Sequence, residues 1–329
     1  MTGGARMLSL LAAATQVAAA PEAPRSFAYV LQADALAPSR REAVRRLAGC
    51  GRDWIVIDTA FDGGDEGGWT PADVAAVRAG KAGRKVLAYL SVGEAEDYRG
   101  YWRRKWDADR DGRPDAGAPA WLCGENPDWD GNYRVRYWDE DWQRIALARL
   151  DDVVRTGFDG AYLDIVDAFE TFEFDPVAGD WTDHRRNPDT GRTFREDMIA
   201  WVLRIAARAR ERRPGFLVVP QNGSQLLEAP AYRGAVDAIG VEDLFTEGDR
   251  IRKPSDAEHV RAFLAHAVAA GKPVLAIEYA SRSAAVAHAA REAAARGFVL
   301  LVTDRGLKTL GASPADAGAS GPPMPASPR

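Results

Sequence analysis

Asp141-Trp-Gln-Arg-Ile-Ala-Leu-Ala-Arg-Leu-Asp-Asp-Val-Val-Arg-Thr156, closed by Gly157 and followed after two residues by Gly160-Ala161-Tyr162-Leu163-Asp164, decides the fold. A helical pattern stopped by glycine leads into a short, wholly apolar run that ends on an acid. Near-continuous apolar runs are typical of strands covered on both faces, and a helix between two such runs makes them parallel. The same unit recurs outward in both directions. The runs are Phe27–Leu31, Trp54–Asp58, Val86–Leu90, Ala161–Asp164, Phe216–Val219, Ala238–Val241, Val274–Ile277 and Phe298–Val302. Between them, Ser39 opens a helix over 40–48, and Thr70-Pro71 caps one before 73–79. Asp197 to Arg212 ends before Pro214, Ser255 opens a helix over 256–270 stopped by Gly271, and 283–296 is stopped by Gly297. Strand and helix alternating eight times between residues 25 and 310 predict one α/β domain, a (β/α)8 barrel with long loops after strands 3 and 4. An open doubly wound sheet is the alternative, but no Gly-x-Gly-x-x-Gly follows the first strand.

The chain's 329 residues carry 43 Lys+Arg against 48 Asp+Glu, a net charge of -5, with 46% hydrophobic residues. These are values of a globular protein, and with no extended basic run they argue against nucleic-acid or anionic-membrane partners. Arg6, the apolar Met7–Ala14 and the small Ala18–Ala20 before Pro21 have the order of a signal peptide over residues 1–20, so a secreted or periplasmic protein is expected. Residues 311–329, rich in Pro, Ala, Ser and Gly, read as a disordered tail. Cys50 and Cys123 give no disulfide framework and are expected to be unpaired. No cofactor is called for, and a monomer is expected.

Seven of the eight predicted strands end on or next to a carboxylate or carboxamide: Asp58, Glu94, Asp164, Gln221-Asn222, Glu242-Asp243, Glu278 and Asp304. Each acid alone could cap its following helix. Brought together at the C-terminal mouth of a barrel, they would raise one another's pKa and set a protonated acid beside an ionised carboxylate. That is the equipment for cleaving a glycosidic bond. The four histidines occupy no strand end, and no Gly-x-Ser-x-Gly occurs, so zinc hydrolysis and a serine triad have no obvious place. A magnesium-binding carboxylate site for enolate chemistry is a weaker alternative. A barrel that binds polysaccharide without cleaving it is another.

Ten Trp and nine Tyr, many of them in the connection from Ser91 to Asp139, suit stacking on sugar faces. Trp121 and Tyr137 are the first candidates, with Tyr29, Tyr89 and Asp167 added as substrate contacts. Asp107, Asp109, Asp111 and Asp115 follow the opening of a calcium loop, but Ala118 stands where its bidentate Glu belongs, leaving a weak calcium candidate.

Four segments, Val86–Glu94, Gly157–Asp167, Pro220–Gly223 and Gly240–Phe245, together resemble glycoside hydrolase family 114. That family contains endo-α-1,4-polygalactosaminidases and related extracellular proteins. The resemblance spans residues 25 to 310. It implies an eight-stranded barrel hydrolysing α-1,4 links in an amino-sugar-rich polysaccharide, with Asp164 as nucleophile or charge stabiliser and Glu242 as proton donor. An acidic mouth suits a cationic galactosamine polymer. The Trp121–Pro127 and Gly131–Asp139 segments resemble the extracellular branch more than the fungal enzymes, so the reaction class is the firmer expectation and the exact polymer the looser one.

Overall fold

The computed structural model describes residues 23–64 and 67–314. The expected signal peptide and most of the expected tail lie outside them. Eight parallel strands form the centre: β1 (Phe27–Val30), β2 (Trp54–Ile57), β3 (Lys85–Ser91), β4 (Gly160–Asp164), β5 (Leu217–Pro220), β6 (Ile239–Glu242), β7 (Val274–Glu278) and β8 (Val299–Val302). Strands β1 to β5 pair in sequence order as one arc, and β6 to β8 as a second. A parallel bridge between Gln221 and Gly240 joins the arcs at one seam. At the other seam β1 lies beside β8, and Leu31 N–H donates to Leu307 O at 3.0 Å.

Inward side chains of both arcs share one buried cluster, with Phe27 and Tyr29 from β1, Leu87 and Tyr89 from β3, Tyr162 from β4, Val219 from β5, Ile277 from β7 and Leu301 from β8. Alternation along each strand sends the other residues outward, where Ile55, Val86, Leu163 and Val218 pack under the helices. The interior is therefore filled, as a (β/α)8 barrel requires. Gly240 is needed there, because a Cβ would lie 1.8 Å from the Tyr162 hydroxyl.

The crossover helices are α1 (Arg40–Gly49), α2 (Pro71–Ala79), α3 (Glu140–Thr156), α4 (Phe194–Arg212), α5 (Pro230–Ala235), α6 (Glu258–Ala269) and α7 (Ser283–Arg296). Ser39 and Thr70 cap α1 and α2 as read from the sequence, and Gly157 and Gly297 end α3 and α7 in the left-handed conformation. Helix α4 starts three residues before the expected Asp197, because Thr193 and Glu196 form a reciprocal capping box. Ser255 opens no helix but lies inside a 3₁₀ turn, Pro254–Ala257, whose N-cap is Lys253, ahead of α6. The tail boundary also shifts. Ala312 pairs antiparallel with Val302, Gly311 O accepts from Arg52 at 3.0 Å and Ser313 is buried, so residues 311–313 belong to the packed domain.

The connection from β3 to α3 folds into a three-stranded antiparallel sheet of Glu94–Glu96, Asn132–Val135 and Leu122–Glu125. The indoles of Trp142 and Trp201 both donate to Val92 O, at 3.0 and 3.2 Å, and anchor the exit of β3 beneath it. Cys50 and Cys123 are not paired with each other.

Candidate active site

The C-terminal ends of the strands open into a cleft of about 720 Å³. Tyr29, Tyr89, Glu94, Asp164, Asp167, Gln221, Asn222, Glu242 and Tyr279 line it, so most of the strand-end residues singled out in the sequence meet there. Asp164 ends β4, Glu242 ends β6, and Asn222, just past β5, stands between them.

Each of the two carboxyls is oriented from both sides. Asp164 Oδ1 accepts from Ile165 N–H and Oδ2 from the Tyr89 hydroxyl, both at 2.9 Å. Glu242 Oε2 accepts from the Tyr279 hydroxyl at 2.6 Å, and its other oxygen faces Asn222 Nδ2 at 3.4 Å. Burial, and then the charge of Glu242, push Asp164 up to about 6. Glu94 is raised to about 7 by burial against the hydrogen bond it accepts from Asn126 at 2.8 Å. Asp167 is raised to about 8 by burial and then by Asp164. Burial, with Asp164 adding to it, also keeps the Tyr29 hydroxyl protonated far above its ordinary range.

The backbone at these strand exits is unusual. Ile165, Asn222 and Asp243 follow β4, β5 and β6 with φ of 57°, 56° and 52°. The left-handed region is unfavourable for side-chain-bearing residues, most of all a β-branched one, and residues held there concentrate at functional sites. Gly93 accommodates the first of these turns, because a Cβ there would lie 2.1 Å from Ile165 O.

Five expected substrate contacts, Asp58, Trp121, Tyr137, Asp243 and Glu278, lie outside this cleft. Asp58 borders a neighbouring compartment, but both of its oxygens are taken by Arg99, at 2.9 and 2.7 Å, and Arg99 also binds Glu96 with Nε at 2.8 Å. Glu278 is fully buried and holds the segment after β6, accepting from Phe245 N–H, Thr246 N–H and the Thr246 hydroxyl at 2.9, 2.9 and 2.6 Å. Trp121 and Tyr137 are 3% and 0% exposed and line no part of the cleft. Trp121 packs between Trp106 and Trp142, and the Tyr137 hydroxyl donates to Phe194 O at 2.7 Å. Their rings supply the apolar mass that holds the β3–α3 connection down, which outweighs any use as a sugar platform.

The exposed aromatics at the cleft are Trp129 and Tyr98, 51% and 48% exposed. Both belong to the aromatic-rich connection from Ser91 to Asp139, and composition does not reveal which of its rings faces outward. Tyr279 and Asn126, which orient Glu242 and Glu94, were missed, and no local signal marks them. Asp243 lines an adjoining compartment of about 210 Å³ and pairs with Arg305 at 2.6 Å. Asp304 accepts from Lys308 N–H and the Thr309 hydroxyl, a turn-capping role.

Asp107, Asp109 and Asp115 bring carboxylate oxygens within 4.8 Å of one another, whereas Asp111 caps Arg113 N–H. Asp107 already accepts from the Tyr133 hydroxyl and two backbone N–H groups, and Asp115 accepts from Ala108 N–H. The loop is thus held by its own hydrogen bonds. Among the described residues, no helix is long and apolar enough to cross a membrane.

Among solved structures, the chain is similar to the glycoside hydrolase domain of PelA from Pseudomonas aeruginosa, with TM-score 0.59 and 22% identity over 88% of this chain and 98% of that one. It is likewise similar to Aspergillus fumigatus Ega3, solved in complex with galactosamine, with TM-score 0.58 and 18% identity over 87% and 92% of the two chains. At this distance both speak to the fold. An uncharacterized protein of Deinococcus radiodurans is 41% identical over 259 residues, 78% of this chain and 74% of its own. One from Methanocaldococcus jannaschii is 33% identical over 68% and 60% of the two. The model of glycoside-hydrolase family GH114 matches residues 9–318, and with the barrel and its carboxyl-lined mouth in view, the chain belongs to that family of glycoside hydrolases.

Proposed function

We propose that this protein is a secreted endo-acting hydrolase that cleaves α-1,4 links in an amino-sugar-rich polysaccharide, with Asp164 and Glu242 as the catalytic pair. The observation that carries the reading is that these two carboxyls line one cleft, each oriented by a phenol. Glu242, as the acid, passes its proton to the glycosidic oxygen as the bond to the anomeric carbon breaks. The Asp164 carboxylate meets the positive charge that develops on that carbon, as nucleophile or as counter-charge. Water then supplies the new hydroxyl and returns a proton to Glu242. Above a pH of about 6 Asp164 is ionised, which fits its part.

Substrate class follows from charge. Asp128, Asp130, Asp164 and Glu170 line the cleft against Arg134, Arg305 and Lys308. Acids held in a partly desolvated concavity attract a polymer bearing ammonium groups. Ega3, a structural neighbour, was solved with galactosamine. A polymer-binding protein without turnover remains the competing reading, and both predict binding. The deciding measurement is the appearance of new reducing ends when the protein is incubated with deacetylated galactosamine polymer. Retention of the polymer with no new ends would overturn the hydrolase reading in favour of binding alone.

A further inference from the structure

The catalytic cleft does not end at the catalytic pair. Beyond Tyr89 it continues into a second compartment of about 680 Å³, and Leu31, Gln32, Tyr89 and Tyr98 line both. That volume lies within the roughly 300–1,000 Å³ of small-molecule sites. Its wall is built around one ring. Tyr98 is 48% exposed, yet its hydroxyl donates to Glu96 Oε1 at 2.7 Å and the Arg99 guanidinium stands 5.0 Å from its ring centroid. Glu96 and Arg99 are themselves buried and paired with each other, and Arg99 is paired in turn with Asp58. An exposed aromatic is ordinarily mobile, whereas this one is fixed before any ligand arrives, so stacking on it forfeits little side-chain entropy. Asp62 and Asp97, both exposed residues, line the same compartment, Asp62 with one carboxyl oxygen accepting from Gly64 N–H at 3.2 Å.

We propose that this second compartment is a distal subsite for the same chain, in which one amino-sugar unit stacks on Tyr98 and its ammonium group faces Asp62 and Asp97. The inference rests on the amino-sugar reading above and adds where the polymer extends. A flat ring supplies the apolar face of the sugar with a surface, and the two acids supply the charge that distinguishes a free amine from an acetylated one. The subsite thereby favours polymers over short fragments and deacetylated units over acetylated ones.

The test is affinity, measured by calorimetry in the Glu242→Gln background with short and long fractions of deacetylated galactosamine polymer. Long fractions are expected to bind more tightly than short ones. Tyr98→Ala removes about tenfold of affinity for the long fraction, matching the roughly 1.4 kcal/mol scale of a stacking contact, and costs the short fraction less, so that the length gap narrows. Tyr98→Phe keeps the ring and most of the gap, which separates stacking from loss of the Glu96 hydrogen bond. Asp62→Asn with Asp97→Asn weakens binding of the deacetylated long fraction and lowers its salt sensitivity. A length gap untouched by Tyr98→Ala, or no binding to the polymer at all, overturns the subsite. The reaction reading is judged separately by new reducing ends from the unmodified protein. It survives if these form while the length gap ignores Tyr98.

Discussion

Two parts of the same rim carry the same sequence signature and meet opposite fates. At the ends of β4 and β6, Asp164 and Glu242 keep their carboxyls on an open cleft, each oriented by a tyrosine that leaves room for a ligand. At the ends of β2 and β7, Asp58 and Glu278 are closed in by donors from their own chain, Arg99 in one case and the Phe245-Thr246 segment in the other. On the proposed assignment, an acid at a strand end stays available to a ligand only where internal donors leave some of its lone pairs free. Where the donors are internal, the acid fastens a loop.

The sharpest way to break this contrast is to neutralise one acid of each kind. Asp164→Asn is expected to lower turnover of galactosamine polymer by about 10³-fold or more with the fold intact. Asp58→Asn is expected to lower the melting temperature and spare most of the activity per folded molecule. Equal effects of the two on turnover would erase the distinction. Next in size, Arg99→Met leaves Asp58 and Glu96 buried without their counter-charge, and loss of one partner of such a group costs about 3–5 kcal/mol, read as a drop in urea-unfolding stability. Unchanged stability would mean that water reaches those acids.

A pH series sharpens the other side. Asp164, Glu94 and Asp167 all have folded-state values above those of ordinary carboxyls, about 6, 7 and 8. Between the unfolded and folded values the folded chain binds more protons, so these groups make stability fall as pH rises through that range. Asp164→Asn removes its share between about pH 4 and 6, and the variant should gain stability relative to the parent as pH rises through that window. A difference independent of pH would place Asp164 in water. The smallest expected effect is that of Tyr89→Phe. Removing a donor to the ionised Asp164 raises the acid limb of kcat/KM by up to about one pH unit, and an unmoved limb would detach that limb from Asp164.

The strand ends, and most of the helix starts and stops, were legible because they depend on residues adjacent in the chain: Ser39, Thr70 and Gly157 act on the turn beside them. Thr193-x-x-Glu196 was equally available and would have corrected the start of α4. The fate of each acid was not legible from local sequence. Asp58 is closed by a residue 41 positions away, and Glu278 by donors 32 and 33 positions away, so the decisive partners lie in other loops. The aromatics fail for a related reason. Trp121 and Trp129 have the same chemistry and sit eight residues apart, and only the small sheet of the β3–α3 connection turns one inward and the other out.

The fit of Gly93 beneath the Ile165 carbonyl also bears on how the scaffold can be re-engineered. The two positions belong to different connections, yet neither has freedom of its own, since any side chain at 93 collides with the turn that aims Asp164. Libraries that seek new polymer preferences should therefore freeze this pair and diversify the stretch around Tyr98 and Trp129, where substitutions reach the proposed path of the polymer while leaving Asp164 and Glu242 in place.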